Sequence, residues 1–322
     1  MSTTTETSDL TRRVRARLAE RHPGEPPGDL RTLPGGHSGL TYSITAGPTA
    51  YVVKAVPPGR PPIGRNDVLR QARILRALAG SPVPVPDVVA VDEDQPAWFA
   101  MEFVEGEAIE PVLDEHRLEP ELSRRRMLAL APVLRDLHGT AAPVEPTLGP
   151  AAELERWSRT MRAVPVELRD GSEELLAALA SRLPSAVPPV LTHGDFRLGN
   201  VLFQGERPVA VVDWEIWGYG DPRADLAWFL LFADHRNFPR LGRAVPGLPT
   251  ERDLLTAYLD GRPEPPDLAW FRALARTKMA AIMGHNLRRH REGRHHDPDQ
   301  ERLPPTIAAM IDTARDLLTP RS

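Results

Sequence analysis

His193-Gly194-Asp195-Phe196-Arg197-Leu198-Gly199-Asn200 lies inside PVLTHGDFRLGNVLFQGERPVAVVDWE (189–215), where apolar, β-like runs flank a polar loop. Asp213 follows Asn200 by thirteen residues, in VVDWE. The spacing H-x-D-x-x-x-x-N puts Asp195 and Asn200 at the two ends of one loop, with Asp213 at the end of a second strand paired beside it. Phosphoryl transfer asks for this set of groups: a carboxylate that orients and deprotonates an attacking hydroxyl, and an amide oxygen and second carboxylate that hold Mg²⁺ against phosphates. Hard oxygen ligands suit Mg²⁺, which keeps several waters and takes few protein ligands.

Upstream of this stretch the elements are short. Leu10, Val14 and Leu18 recur every four residues, which predicts a helix over 10–22. LTYSITA (40–46) and AYVVKAV (50–56) flank Gly47-Pro48 and read as a β-hairpin, preceded by the glycine cluster PGGHSG. A helix is predicted over 67–80, with Asp67 at its N-cap and Gly80 near its C-cap, and strands follow in PDVVAVD and AWFAMEFV. Beyond residue 110 helical patterning dominates, interrupted only by the 189–215 stretch. The expected fold class is therefore α+β, with a nucleotide-binding lobe over 1–104 and a larger, mainly helical lobe over 105–322 for catalysis and acceptor binding.

The chain has 322 residues, 41% of them hydrophobic, enough to bury a substantial core in two packed lobes. A formal charge of −4 gives no basic field for nucleic acid, and the absence of cysteine excludes disulfides, thiolate metal sites and a Cys nucleophile. MSTTTETSD (1–9) lacks a basic segment leading into an apolar one, and no later run is long enough to span a bilayer, so a cytoplasmic protein with no membrane partner is expected.

HGDFRLGNVLF, VAVVDWE and GDPRADLAWFL together resemble the catalytic core of the aminoglycoside phosphotransferase and choline kinase family, and the resemblance covers nearly the whole chain. It implies a two-lobed, protein-kinase-like fold and a kinase of small-molecule hydroxyl groups that uses ATP and Mg²⁺. Carried onto this sequence, it makes Asp195 the catalytic base and Asn200 and Asp213 the metal ligands. Two roles are open to Arg197: steadying the transferred phosphate, or forming a structural ion pair. Glu215 is open to contacting the metal through water or to a salt bridge, and Asp221 and Asp225 brace the catalytic loop.

In the small lobe the resemblance places Gly36, Ser38 and Gly39 at the phosphates through their backbone N–H groups. Lys54 would hold the α- and β-phosphates. Met101 would line the adenine pocket, with the Glu102 carbonyl and Val104 N–H facing the base. The family pattern also asks for a Glu on the next helix to pair with the lysine; Gln71 stands there, and its amide oxygen can accept a hydrogen bond without neutralising the charge.

The expected acceptor is a small molecule, either an antibiotic or a hydroxy acid or hydroxyacyl compound, and the expected assembly is a monomer or homodimer. RTKMAAIMGHNLRRHREGRHH (276–296) carries Lys278, Arg288, Arg289, Arg291 and Arg294. With RQARILRALAG and PVPVPDV it resembles the phosphotransferase branch related to domains fused with acyl-CoA dehydrogenases. This basic segment either meets an anionic acceptor or is a solvated helix end, where cations suit the macrodipole. The His295-His296 pair, lacking a third ligand, is not assigned a metal. An alternative function is a catalytically inactive nucleotide-binding regulatory module, to which Gln71 points. A protein kinase fits less well, because D-W-E replaces D-F-G and no activation segment ending in A-P-E is visible.

Overall fold

The structure is a computed structural model that describes residues 3–33, 40–57, 59–115, 117–141, 147–239, 242–294 and 296–319. The chain is α+β and divides into two compact units. The first comprises 1–107, 201–204 and 208–216, and the second 108–200, 205–207 and 217–322.

In the first unit, helix α1 (Thr3–Ala19) begins seven residues before the predicted start. Strands β1 (Arg31–Thr32), β2 (Leu40–Ala46), β3 (Thr49–Ala55), β4 (Val88–Asp92) and β5 (Trp98–Glu102) form an antiparallel sheet in the order β1-β2-β3-β5-β4. Alternation of side chains along each strand gives this sheet two faces. Tyr42, Ile44, Tyr51, Val53, Trp98 and Ala100 pack with Leu10, Val14 and Leu18 of α1, so the four-residue spacing read from sequence is the face that closes one side of the sheet. Lys54 alternates with Val53 and Ala55 and points to the other side, where helix α2 (Val68–Leu78) supplies Gln71. Asp67 caps α2 by accepting a hydrogen bond from the Arg70 N–H at 2.9 Å.

The second unit contains α3 (Pro120–Gly139), β6 (Thr147–Leu148), α4 (Pro150–Arg162), α5 (Ser172–Ser181) and β7 (Val190–Thr192). The chain then forms a hairpin, β8 (Val201–Gln204) and β9 (Arg207–Val211), most of which belongs to the first unit, where the Val211 N–H donates to the Pro84 carbonyl at 2.7 Å. It continues in the second unit with β10 (Gly218–Gly220), α6 (Pro222–Leu231), α7 (Glu251–Leu259), α8 (Leu268–Arg291) and α9 (Pro304–Leu318). β10 lies between β6 and β7. α8 is the long central helix of this unit and packs against α4, α6 and α9. No helix among the described residues is long and apolar enough to cross a membrane.

Candidate active site

The loop after β7 carries one candidate cluster, within the second unit. His193 is fully buried, and Gly194 adopts φ 83, a left-handed conformation that costs glycine little. That turn points the His193 and Gly194 N–H groups at one carboxylate: they donate to Asp225 Oδ2 and Oδ1 at 2.8 and 2.9 Å. Burial alone would raise the Asp225 pKa. The His138 imidazole, 3.6 Å away, and the His193 N–H outweigh it and hold the group below the usual carboxylate range. Asp221 caps α6 and grips Arg223, whose guanidinium also donates to the Ser185 and Pro266 carbonyls. Asp225 thus braces the loop, whereas the bonds of Asp221 brace the start of the helix behind it.

Asp195 is held on each carboxylate oxygen. Trp228 Nε1 donates to Oδ1 at 2.8 Å, and Asn200 Nδ2 donates to Oδ2 at 2.8 Å and to the Asp195 carbonyl at 2.8 Å. These bonds use only the amide nitrogen of Asn200, and no donor among the described residues reaches its Oδ1. Arg197 stands between two acids, with Nε 3.5 Å from Asp195 Oδ1 and Nη1 3.8 Å from Glu110 Oε2. Its observed contacts are those of an ion-pair partner. Glu110 is fully buried; Oε2 accepts from the Gly199 N–H at 3.2 Å and Oε1 has no hydrogen-bond partner. Desolvation pushes its carboxyl up to about 7, against the pull of Arg197.

A separate cluster lies in the first unit. Lys54 Nζ donates to Gln71 Oε1 at 3.1 Å and lies 3.7 Å from Asp213 Oδ1 and 4.0 Å from Glu215 Oε1. The helix therefore supplies a neutral acceptor, and the two acids of D-W-E supply the negative charge. Asp213 has φ 64, a left-handed conformation uncommon outside glycine and tolerated by Asp. Met101 is buried in β5 and Glu102 is exposed. The Glu102 N–H donates to the Asp87 carbonyl and the Phe103 N–H to the Ala50 carbonyl, whereas the Val104 N–H has no backbone acceptor among the described residues. Gly36, Ser38 and Gly39 lie outside the described residues, as does His295.

No group of three or more His, Cys, Asp or Glu side chains among the described residues could hold a metal on its own. Each unit by itself offers a hard oxygen ligand, the Asn200 amide oxygen in the second and an Asp213 carboxylate in the first. This fits an ion that takes few protein ligands and completes its shell with water and phosphate, as Mg²⁺ does.

Trp228 and Glu110 were not marked in the sequence, and Lys278 was marked only as one of the cations of 276–296. Trp228 follows Asp225 by three positions, so both lie on one face of α6, and that spacing was an available signal. Lys278 donates to the Gly194 carbonyl from the middle of α8. Arg288 lies ten residues further along, about 15 Å away by helical rise. It donates to the Ala163 carbonyl at 2.7 Å and pairs with Glu292, while Arg291 pairs with Glu301 at 2.7 Å. The basic end of α8 is thus engaged locally, and the lysine near its middle is what reaches the loop.

A model described as "Phosphotransferase enzyme family" matches residues 29–264. Acyl-CoA dehydrogenase family member 10 of Mus musculus is 29% identical over 280 residues, covering 80% of this chain and 26% of its own length. Family member 11 of the same organism is covered over 39% of its length, so the chain spans well under half of these relatives. Viomycin phosphotransferase of Streptomyces vinaceus is 29% identical over 230 residues, 65% of this chain and 75% of that one. An aminoglycoside phosphotransferase-like structure from Ralstonia eutropha superposes with TM-score 0.76 at 22% identity, covering 95% of this chain and 98% of that one. The same fold is seen in aminoglycoside phosphotransferase APH(4)-Ia in complex with AMP-PNP and hygromycin B, at TM-score 0.59, 17% identity and coverage of 92% and 98%.

Proposed function

Because the chain belongs to the phosphotransferase enzyme family by its match over 29–264, we propose that it is an ATP- and Mg²⁺-dependent kinase of a hydroxyl group on a small molecule. The observation that carries this reading is the fixed carboxylate of Asp195, held at 2.8 Å by Trp228 and by Asn200. A base for a hydroxyl proton needs such orientation before it needs an unusual pKa.

Asp195 accepts the proton of the acceptor hydroxyl as its oxygen bonds to the γ-phosphorus. The bond between that phosphorus and the β–γ bridging oxygen breaks, and ADP leaves. Lys54 offsets charge on the α- and β-phosphates, itself balanced by Asp213 and Glu215. Met101, the Glu102 carbonyl and the Val104 N–H receive adenine. Gly36, Ser38 and Gly39 take their place at the phosphates on sequence resemblance. Asn200 and Asp213 would hold Mg²⁺, which when bound neutralises charge on the phosphate oxygens. Catalysis is then mainly positioning and charge stabilisation. Arg197 keeps the Asp195 loop in register by pairing with Glu110.

For the acceptor, likeness to the acyl-CoA dehydrogenase family members favours a hydroxy acid or hydroxyacyl compound, and likeness to viomycin phosphotransferase favours an antibiotic. An inactive nucleotide-binding module drew its support from Gln71. The acids beside Lys54 supply the charge that Gln71 lacks, and that support weakens. The test is Mg²⁺-dependent ADP release from ATP across aminoglycosides, peptide antibiotics, amino alcohols, hydroxy acids and hydroxyacyl-CoAs. Stimulation by one class establishes the kinase and its acceptor chemistry; ATP binding without stimulation by any class counts against it.

A further inference from the structure

Lys278 sits in an unusual place for an ammonium group. Its Nζ is 3.8 Å from the ring centroid of Trp228 and 5.3 Å from that of Trp157, and it donates to the Gly194 carbonyl. Both indoles are buried, and no carboxylate among the described residues lies within ion-pair distance of the nitrogen. Two aromatic faces and a carbonyl oxygen are the standard components of a receptor for an ammonium ion. The Trp228 indole belongs at once to this receptor and to the catalytic group: its face takes the Lys278 charge, and its Nε1 edge holds Asp195 Oδ1 at 2.8 Å. Trp157 is likewise fixed, by donating from Nε1 to Glu153 Oε2 at 2.8 Å. Desolvation pulls the lysine pKa down, and the nearby charges of Asp195 and then Glu153 oppose it.

An acceptor whose hydroxyl approaches Asp195 while carrying an ammonium group next to it would find the cation receptor already filled by the chain's own side chain. We propose that Lys278 is a built-in cation occupying an ammonium site beside Asp195, so that this enzyme selects acceptors with no ammonium group next to the reacting hydroxyl. The proposal rests on Asp195 being the proton acceptor. It makes Lys278 a specificity-determining residue, and through the Gly194 carbonyl also a positioning residue for the catalytic loop.

The experiment uses Lys278→Ala in the full chain, with n-propylammonium as the probe because it replaces the deleted atoms. 1-Propanol serves as the uncharged control. Binding is read by calorimetry and by quenching of tryptophan fluorescence, so the result does not depend on turnover and separates this proposal from the kinase reading. The variant is expected to bind n-propylammonium about tenfold or more tightly than 1-propanol, as a partly desolvated cation–π site allows, with no such binding by wild type. A folded variant without preference for the ammonium over the alcohol overturns the proposal. A second measurement needs no variant. In wild type, choline and ethanolamine should be neither acceptors nor competitive inhibitors against the acceptor; turnover of either, with its hydroxyl as the site of phosphorylation, overturns the proposal as well.

Discussion

At the scale of single residues, the 193–200 loop is organised by donors that leave Asp195 little freedom. Trp228→Phe replaces the indole with a smaller aromatic ring and removes the Nε1–H bond to Oδ1. A hydrogen bond to a charged group contributes about 1.5–3 kcal/mol, so kcat should fall roughly ten- to a hundredfold, with the KM for ATP little changed. Steady-state kinetics with the identified acceptor checks this. Glu110 makes a different prediction. Its carboxyl is fully buried and raised from 4.5 to about 7, so the folded state binds a proton more tightly than the unfolded chain. The stabilisation is complete below the unfolded value and is lost as pH rises through about 7, a change on the order of 3 kcal/mol. Urea unfolding should show wild type losing stability between about pH 5 and about pH 8, and Glu110→Gln should flatten that slope. An unaltered slope in the variant would show that the titrating group lies elsewhere.

At the scale of elements, α6 and α8 turn packing into chemistry. In ten residues α6 presents Asp225 to two loop N–H groups and Trp228 to the Asp195 carboxylate. Helix α8 can bring Lys278 to the same loop only by lying close to α4 and the residues after it. Gly284 permits that approach: a Cβ there would stand 2.5 Å from Val164 Cγ1 and 2.7 Å from Cγ2. Gly284→Ala is expected to destabilise the fold by about 1–3 kcal/mol through overpacking. Val164→Ala in the same chain should recover part of that loss, which a double-mutant cycle in urea would reveal. These elements also show what was legible in the sequence. Asp195, Asn200, Asp213 and Gln71 stand in a few short stretches, so local order exposes them. Trp228, Lys278 and Glu110 reach the loop from 33, 84 and 89 residues away in their bonds to Asp195, Gly194 and Gly199, and only tertiary packing, of α6, of α8 and of the segment before α3, creates those contacts. The helix α1 face was readable because a four-residue apolar spacing has one physical outcome, burial against a partner. Its start was not, since Thr3–Asp9 carries no apolar periodicity.

At the scale of the whole molecule, the residues to which the proposed reaction assigns roles belong to both compact units. Lys54, Asp213 and Glu215 belong to the first, and Asp195, Asn200, Trp228 and Lys278 to the second. A substitution in the first set should register mainly against nucleotide. Lys54→Met removes the ammonium that lies 3.7 Å from Asp213 Oδ1 and 4.0 Å from Glu215 Oε1, and kcat/KM for ATP should fall by roughly a hundredfold or more, as loss of a phosphate-clamping charge implies. The small net charge of −4 adds no long-range field that would substitute for these local contacts. The measurement that bears most directly on the central claim compares wild type with Asp195→Asn, following acceptor-stimulated, Mg²⁺-dependent ADP release and AMP-PNP binding in the same preparations. The account predicts that release all but disappears in the variant while AMP-PNP binding persists; stimulated release at the wild-type rate in Asp195→Asn would contradict it.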